Sequence, residues 1–356
     1  MSFFKKRIRD AWRWRLGKLK NYYARITAQM GSKWFVALHW PWPLRKPYQR
    51  KRLTLTPPGG GIGDELVCTP ILREIKQRNP KCHITFLSRY PQLFTGFPHI
   101  DELIPYNPDL AAKAIRLAYD HVCPMFKGVA KGKPPVSHGS KDLSGRSLHA
   151  NYTHAYPPPR PLISLMAEWV GLQFFSTKLF CSVPPATNFI REFADEIQHP
   201  LIVIQTVASQ WTPNKNWPAD HWRELIAMLT KLGTVVETGT ESCLPKEFQL
   251  AQFRSLVGKT NLDEFLYIIS KADVFVGPVS GGMHIAHAYQ KPSVIIYGGY
   301  ESPDGYKYSR VMPLYSVIHC APCWLTTPCP YGLECLKRIV PQQVFDAVKN
   351  CLHFQC

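Results

Sequence analysis

Four stretches of this 356-residue chain place reactive or ligand-binding residue types at spacings that limit what they can do. The first is Gly59-Gly60-Gly61-Ile62-Gly63-Asp64. Its glycines admit a ligand close to the backbone, and free amides opening a helix can receive a phosphate or a sugar hydroxyl. It is not the dinucleotide fingerprint G-x-G-x-x-G, because the third glycine would fall on Asp64 or on Leu66. It is not a Walker A loop either, since no Gly-Lys-Ser/Thr follows. An acid at this helix start is expected to be held ionised by the dipole and the amides, and Asp64 is a candidate general base. The competing reading is that Asp64 only caps the helix, a common role for Asp.

The second stretch is Val276-Gly277-Pro278-Val279-Ser280-Gly281-Gly282-Met283-His284, with His287 one turn further on. Amides at Gly281, Gly282 and Met283, with the Ser280 hydroxyl, make an anion site, and His284 can donate to a phosphate oxygen. His287 reads as a satisfied core histidine. The third is Thr212-Pro213-Asn214-Lys215-Asn216-Trp217-Pro218, in which Lys215 is a candidate point charge for a leaving phosphate. Glu237 and Glu241 follow the next strand, where a ribose-binding acid is often placed. The fourth is Cys320-x2-Cys323-x5-Cys329-x5-Cys335. Four thiols this close suggest a clip for zinc or iron, although the paired spacing of a zinc ribbon is missing. Packed free thiols or a disulfide pair are the alternatives.

The elements that must position these residues alternate strand and helix. Arg52-Leu53-Thr54-Leu55-Thr56 reads as a strand, 64–77 as a helix and His83-Ile84-Thr85-Phe86-Leu87 as the next strand. Strand, glycine loop, helix and strand make a βαβ unit, which requires a parallel sheet. Residues 127–161, rich in Gly, Pro, Ser, Lys and His, read as a long loop. Cys181 to Pro185 reads as the end of a first domain. A second series follows: strands at 201–205, 234–237, 272–276 and 293–297, with helices at 219–232, 262–270 and 283–289. The expectation is an α/β protein of two Rossmann-like domains, 53–185 and 186–356, facing a central cleft.

The formal charge of +18 is not spread over the molecule. Residues 1–52 hold 15 Lys and Arg and one acid, Asp10, whereas the rest holds 28 basic and 24 acidic residues. Within that arm Phe4, Ile8, Trp12, Leu16, Leu19, Tyr23, Ile26 and Met30 recur at helical spacing, flanked by Lys and Arg. A basic amphipathic N-terminal helix of this kind suits an anionic membrane surface. The near-neutral body argues against a nucleic-acid partner. The arginines of the N-terminus do not suit a signal peptide, and no stretch reaches the roughly 18–20 apolar residues of a membrane span. The expectation is a cytoplasmic chain with reduced thiols, peripheral at the inner face of the membrane.

Taken together, the motifs resemble glycosyltransferase family 9, the ADP-heptose:lipopolysaccharide heptosyltransferase family. Gly60 to Leu72 is similar to its opening motif, and Lys215-x-Trp217-Pro218 with His221-Trp222-Arg223-Glu224-Leu225 to its second-domain motif. Ser280-Gly281-Gly282-Met283-His284-Ile285-Ala286 is similar to its phosphate loop, and the cysteine-rich tail ahead of Ile339 to Val344 also recurs there. The likeness runs over roughly residues 53–352. It implies a GT-B fold and inverting transfer from a nucleotide sugar, with no cofactor required for catalysis. It assigns Asp64 as base and Lys215 as the donor-phosphate contact. It further assigns Ser280, Gly281, Gly282, Met283 and His284 as the diphosphate loop, Glu241 as a ribose contact, and Gly60, Gly61 and Gly63 as the loop facing the acceptor. Where the family usually has Asp before the Ser-Gly pair, this chain has Val279. The partners so implied are an ADP-heptose-like donor and a glycolipid acceptor. A GT-B nucleotide-sugar epimerase, or a nucleic-acid-binding protein with a basic arm and a cysteine knuckle, are the alternative readings.

Overall fold

The computed structural model describes residues 52–57, 60–106, 122–124, 161–169, 172–185, 187–208, 212–323, 325 and 327–354. The expected basic arm and the 127–161 loop lie outside these residues, apart from Arg52 and Pro161 at their ends.

The first sheet is built from β1 (Arg52–Thr56), β2 (His83–Ser88), β3 (Glu102–Pro105) and β4 (Val122–Pro124). All pairings are parallel and the order is β3-β2-β1-β4. The chain leaves β1 in one direction for β2 and β3, then returns to its other side for β4. That reversal opens a crevice at the carboxyl end of β1, where the glycine loop lies.

Where a single helix over 64–77 is expected, there are two: α1 (Ile62–Leu66) and α2 (Thr69–Arg78). The break has a local cause. Pro70 has no amide to donate and sits in the first turn of α2, where none is needed. Leu66, Val67, Ile71, Leu72 and Ile75 still reach the core as one apolar side. Helix α3 (Leu162–Trp169) packs on α2, and residues 172–185 then cross to the second sheet without regular structure.

After α4 (Asn188–Glu196), whose cap Thr187 accepts from the Ile190 amide at 3.2 Å, the second α/β series begins. Its elements are β5 (Leu201–Ile204), α5 (Ala219–Leu229), β6 (Thr234–Glu237), β7 (Phe253–Ser255) and α6 (Leu262–Lys271). There follow β8 (Val274–Pro278), α7 (Gly281–Ala288), β9 (Ser293–Gly298), β10 (Val311–Tyr315), α8 (Glu334–Lys337) and α9 (Pro341–Phe354). The sheet is again wholly parallel, ordered β10-β9-β8-β5-β6-β7. Strands β5, β8 and β9 are buried at every residue, as parallel strands covered on both faces must be. The order reverses between β5 and β8, so the second crevice lies beside the Ser280 loop. Strands β3, β7 and β10 are absent from the sequence reading because their residues are only partly buried and give no continuous apolar run.

One apolar core is continuous across the two sheets, joining Leu66, Phe86 and Phe94 to Phe275, Met283 and Ile285. A second, around Trp217, Trp222, Leu225 and Val344, seals α5 and α9 onto the other face of the second sheet. Among the described residues no helix is long and apolar enough to cross a membrane. Among the described residues Cys351, in α9, is disulfide-bonded, against the expectation of reduced thiols.

Candidate active site

The two crevices face each other, and the site residues meet across them. Gly63 in α1 lies against the His284 ring of α7 so closely that a Cβ there would come 2.7 Å from Nε2. Gly281, at the start of α7, faces Ile62 less tightly: a Cβ there would sit 3.2 Å from the Ile62 side chain. Helix α7 thus presents its N-terminus to the glycine loop of the other sheet, and at Gly63 a side chain would displace the His284 ring.

Asp64 both caps and faces the cleft. Its Oδ2 accepts from the Gly61 amide at 2.9 Å, the reciprocal half of a capping box. Burial is the largest influence on it and raises its pKa, as does the nearby Glu301. The Gly61 amide, Lys215 and Arg89 act in the opposite direction. The expectation that amides and dipole dominate is therefore reversed: desolvation wins, and the carboxylate is a stronger base than an exposed aspartate. Beside it Glu65, fully buried, accepts from the Ser88 hydroxyl and, at 2.7 Å, from the Arg89 amide. This ties α1 to the end of β2. Arg89 stacks over the Tyr106 ring at 3.9 Å, near Gly60.

Lys215 ends a 3-10 turn, Pro213–Lys215, braced from below. The Trp217 indole donates to the carbonyls of Ile339 at 2.9 Å and Leu336 at 3.2 Å. The Thr212 hydroxyl donates to Leu325 O at 2.9 Å and the Asn214 amide to Thr327 O at 2.8 Å. So held, Lys215 Nζ lies 2.5 Å from Glu301 Oε1 and 4.8 Å from the centre of the Tyr300 ring. Glu301 is 2% exposed and follows β9; its Oε2 accepts from Tyr306 at 3.0 Å.

At the third corner, the Ser280 hydroxyl donates to Gln205 Oε1 at 2.8 Å and leaves its place as N-cap of α7 without a side-chain bond to the helix. The first amides of α7 are therefore not consumed by the cap. Gly282 lets Phe275 approach, since a Cβ would lie 2.7 Å from its ring. Met283 is buried and receives a contact from the Tyr297 hydroxyl at 3.7 Å. His284 Nδ1 lies 2.7 Å from the Tyr308 hydroxyl, and burial, followed by Lys215 and His287, pushes its pKa down to about 3. It is neutral at pH 7. With Tyr308 donating to Nδ1, Nε2 carries the proton and points to the glycine loop. His287 is the core histidine expected, stacked on Tyr308 with both nitrogens near backbone carbonyls.

Two expectations fare differently. Glu237 is consumed by structure: it accepts from Thr206 and Ser255 at 2.7 Å and from Ser242 at 2.5 Å. Glu241 is exposed on the loop that follows β6. The four cysteines do come near one another. Cys323 and Cys335 each lie within electrostatic reach of Cys320 and Cys329. Yet among the described residues no group of three or more His, Cys, Asp or Glu side chains is disposed to hold a metal ion. As placed, the four thiols do not converge on one point as a zinc or iron clip requires. Cys335 is buried against Gly299, and burial pushes the Cys323 thiol up to about 11. The tail also acts as a brace: it carries the carbonyls that hold the Lys215 turn, and the Cys323 amide donates to Gly299 O at 2.9 Å.

Two parallel α/β sheets facing each other across a cleft, each with a ligand loop at its switch point, define the GT-B class of architecture. The comparisons agree. Residues 162–314 match the pattern described as glycosyltransferase family 9 (heptosyltransferase). The chain is 31% identical over 159 residues to lipopolysaccharide heptosyltransferase 2 of Salmonella typhimurium, covering 41% of each chain. It thus spans about two-fifths of that relative's length. The solved structure of E. coli ADP-heptose lipopolysaccharide heptosyltransferase II superposes with a TM-score of 0.57 at 19% identity, over 84% of this chain and 98% of that one. The iron-containing dodecameric heptosyltransferase TibC, solved with ADP-D-beta-D-heptose, gives 0.59 at 19% identity over 85% and 76%. Residues 162–314 are thus similar to glycosyltransferase family 9, and the superpositions show that the chain shares the fold of these heptosyltransferases. The matched pattern begins after the glycine loop, so Asp64 lies outside it.

Sequence reasoning missed Glu301, Arg89, Glu65, Gln205 and Tyr308. Glu301 carried a usable signal, because Gly298-Gly299 after an apolar strand marks another loop at a strand's carboxyl end.

Proposed function

We propose that this protein is an inverting glycosyltransferase that moves a heptose-like sugar from a nucleoside diphosphate to a lipopolysaccharide-core or other glycolipid acceptor. The observation that carries the reading is the meeting of Asp64, from the first sheet, with Lys215, from the second, beside the open N-terminus of α7. The printed names of the relatives, heptosyltransferases and one ADP-heptose complex, support the donor class. In the proposed step Asp64 takes the proton of an acceptor hydroxyl as its oxygen attacks the anomeric carbon. The bond to the diphosphate breaks on the opposite face. The leaving charge is met by Lys215, by the amides of Gly281, Gly282 and Met283, and by the Nε2 proton of His284. Fixed donors of this kind stabilise charge as it develops without having to reorganise. The matched relatives are named as transferases, and nothing favours the epimerase alternative. The proposed units are the arm 1–52, an acceptor domain 53–185 and a donor domain 186–356.

ADP and ADP-heptose should raise the melting temperature of the protein in a thermal-shift titration. Ligand at about 100 times its Kd contributes roughly 2.7 kcal/mol to stability. A flat titration with both overturns the donor assignment.

The basic arm fits a reaction on a membrane-anchored acceptor, each basic residue near an anionic surface contributing about 1 kcal/mol. A variant lacking residues 1–30 should lose sedimentation with phosphatidylglycerol vesicles while keeping transfer to a soluble acceptor fragment. Equal sedimentation of both forms overturns the membrane role.

A further inference from the structure

We infer that Glu301 is the residue that receives hydroxyl groups of the transferred sugar, and so contributes to donor specificity. The inference rests on the donor reading above and extends it to the sugar itself.

Glu301 is a carboxylate in an unusual place. It is 2% exposed, follows the carboxyl end of β9 and lies in the cleft with Lys215 and Asp64. Its Oε2 accepts from the Tyr306 hydroxyl. Its Oε1 is paired with the Lys215 ammonium at 2.5 Å. Each carboxylate oxygen carries a second lone pair, so both can accept a further donor in the cleft.

The chemistry of the arriving donor can be argued by elimination. A carboxylate accepts only, and it repels phosphate. The diphosphate therefore belongs on the other side of Lys215, at the amides of α7. The base Asp64 must stand near the attacking hydroxyl, and Lys215 near the leaving oxygen, so the sugar ring occupies the space between them. Glu301 is in electrostatic reach of both. A sugar ring carries several hydroxyls, each a donor. The loop residue ahead of Ser280 is the buried apolar Val279, which offers no polar group for this purpose. Among the groups that perturb Asp64, Glu301 is the one carboxylate.

The test is calorimetric binding of ADP and of ADP-heptose to wild type and to Glu301→Gln. A hydrogen bond to a charged group corresponds to about a tenfold or greater change in affinity. The expected result is ADP-heptose binding about tenfold or more weaker in the variant, with ADP binding unchanged or tighter, because a negative charge beside the diphosphate has been removed. Equal weakening of both ligands overturns the sugar contact and leaves Glu301 as a residue that only positions Lys215. No change in either overturns it as well. Wild type that binds neither ligand overturns the donor reading beneath it and this inference with it, an outcome distinct from the other two. If Glu301→Gln melts well below wild type, monodeoxy ADP-heptoses are titrated against wild type alone. One hydroxyl whose removal costs about tenfold sustains the inference, and a series that binds uniformly overturns it.

Discussion

Asp64→Asn is expected to lower the rate of transfer by about 10²–10⁴-fold, the usual contribution of a positioned base, while leaving donor affinity close to wild type. The asparagine keeps an oxygen to accept from Gly61, so the cap survives and the change is confined to the charge and the proton. Stability supplies a second readout with a definite sign. Burial raises the Asp64 pKa above the unfolded value of 3.8, so the ionised form is disfavoured in the fold. The folded protein loses stability as pH rises from the unfolded pKa through the folded one, and at neutral pH the full cost is present. Asp64→Asn removes that cost, and its melting temperature at pH 7 should equal or exceed that of wild type. Loss of transfer with a lower melting temperature would mean that the residue serves the fold rather than the reaction. The same shift sets the acid limb of the pH–rate profile: kcat/KM for the acceptor should begin to fall at a pH above the ordinary aspartate range.

How far the sequence led depended on whether a residue's role is local. The strand-loop-helix units were legible because apolar runs bounded by glycine and proline leave few alternatives, and ligand loops fall at the carboxyl ends of parallel strands. Asp64, Lys215, Ser280 and His284 all sit at such ends, and all four come to the cleft. Residues whose role exists only after the sheets meet were not legible. Glu65 looks like any helical acid until Ser88 and Arg89 arrive at it from the end of β2. Tyr308 lies 24 residues from the histidine it polarises. The cysteine tail shows the opposite failure. Its spacing invited a metal, but its backbone carbonyls, which no spacing advertises, are what it contributes to the Lys215 turn.

Lys215 is where binding and folding are hardest to separate, and a pair of substitutions should do it. Lys215 is 17% exposed and Glu301 2% exposed, so Lys215→Ala leaves a buried carboxylate without its counter-charge. Breaking one side of such a pair costs about 3–5 kcal/mol. At about 2–4 °C per kcal/mol, the variant should melt roughly 6–20 °C below wild type. It should also bind ADP more weakly, and that alone would be ambiguous, since a loosened cleft binds poorly whatever the lysine does. The double variant Lys215→Ala/Glu301→Gln removes both charges and keeps the Tyr306 hydrogen bond available to the glutamine oxygen. Replacing both members of a buried pair is often close to neutral, so most of the lost melting temperature should return. ADP affinity should not return with it, because the point charge that faces the diphosphate is still missing. Recovery of both together would assign Lys215 to the fold alone. Recovery of neither would show that the turn held by Trp217 and Asn214 collapses without the lysine, for which the brace to Leu336, Ile339 and Thr327 gives no reason.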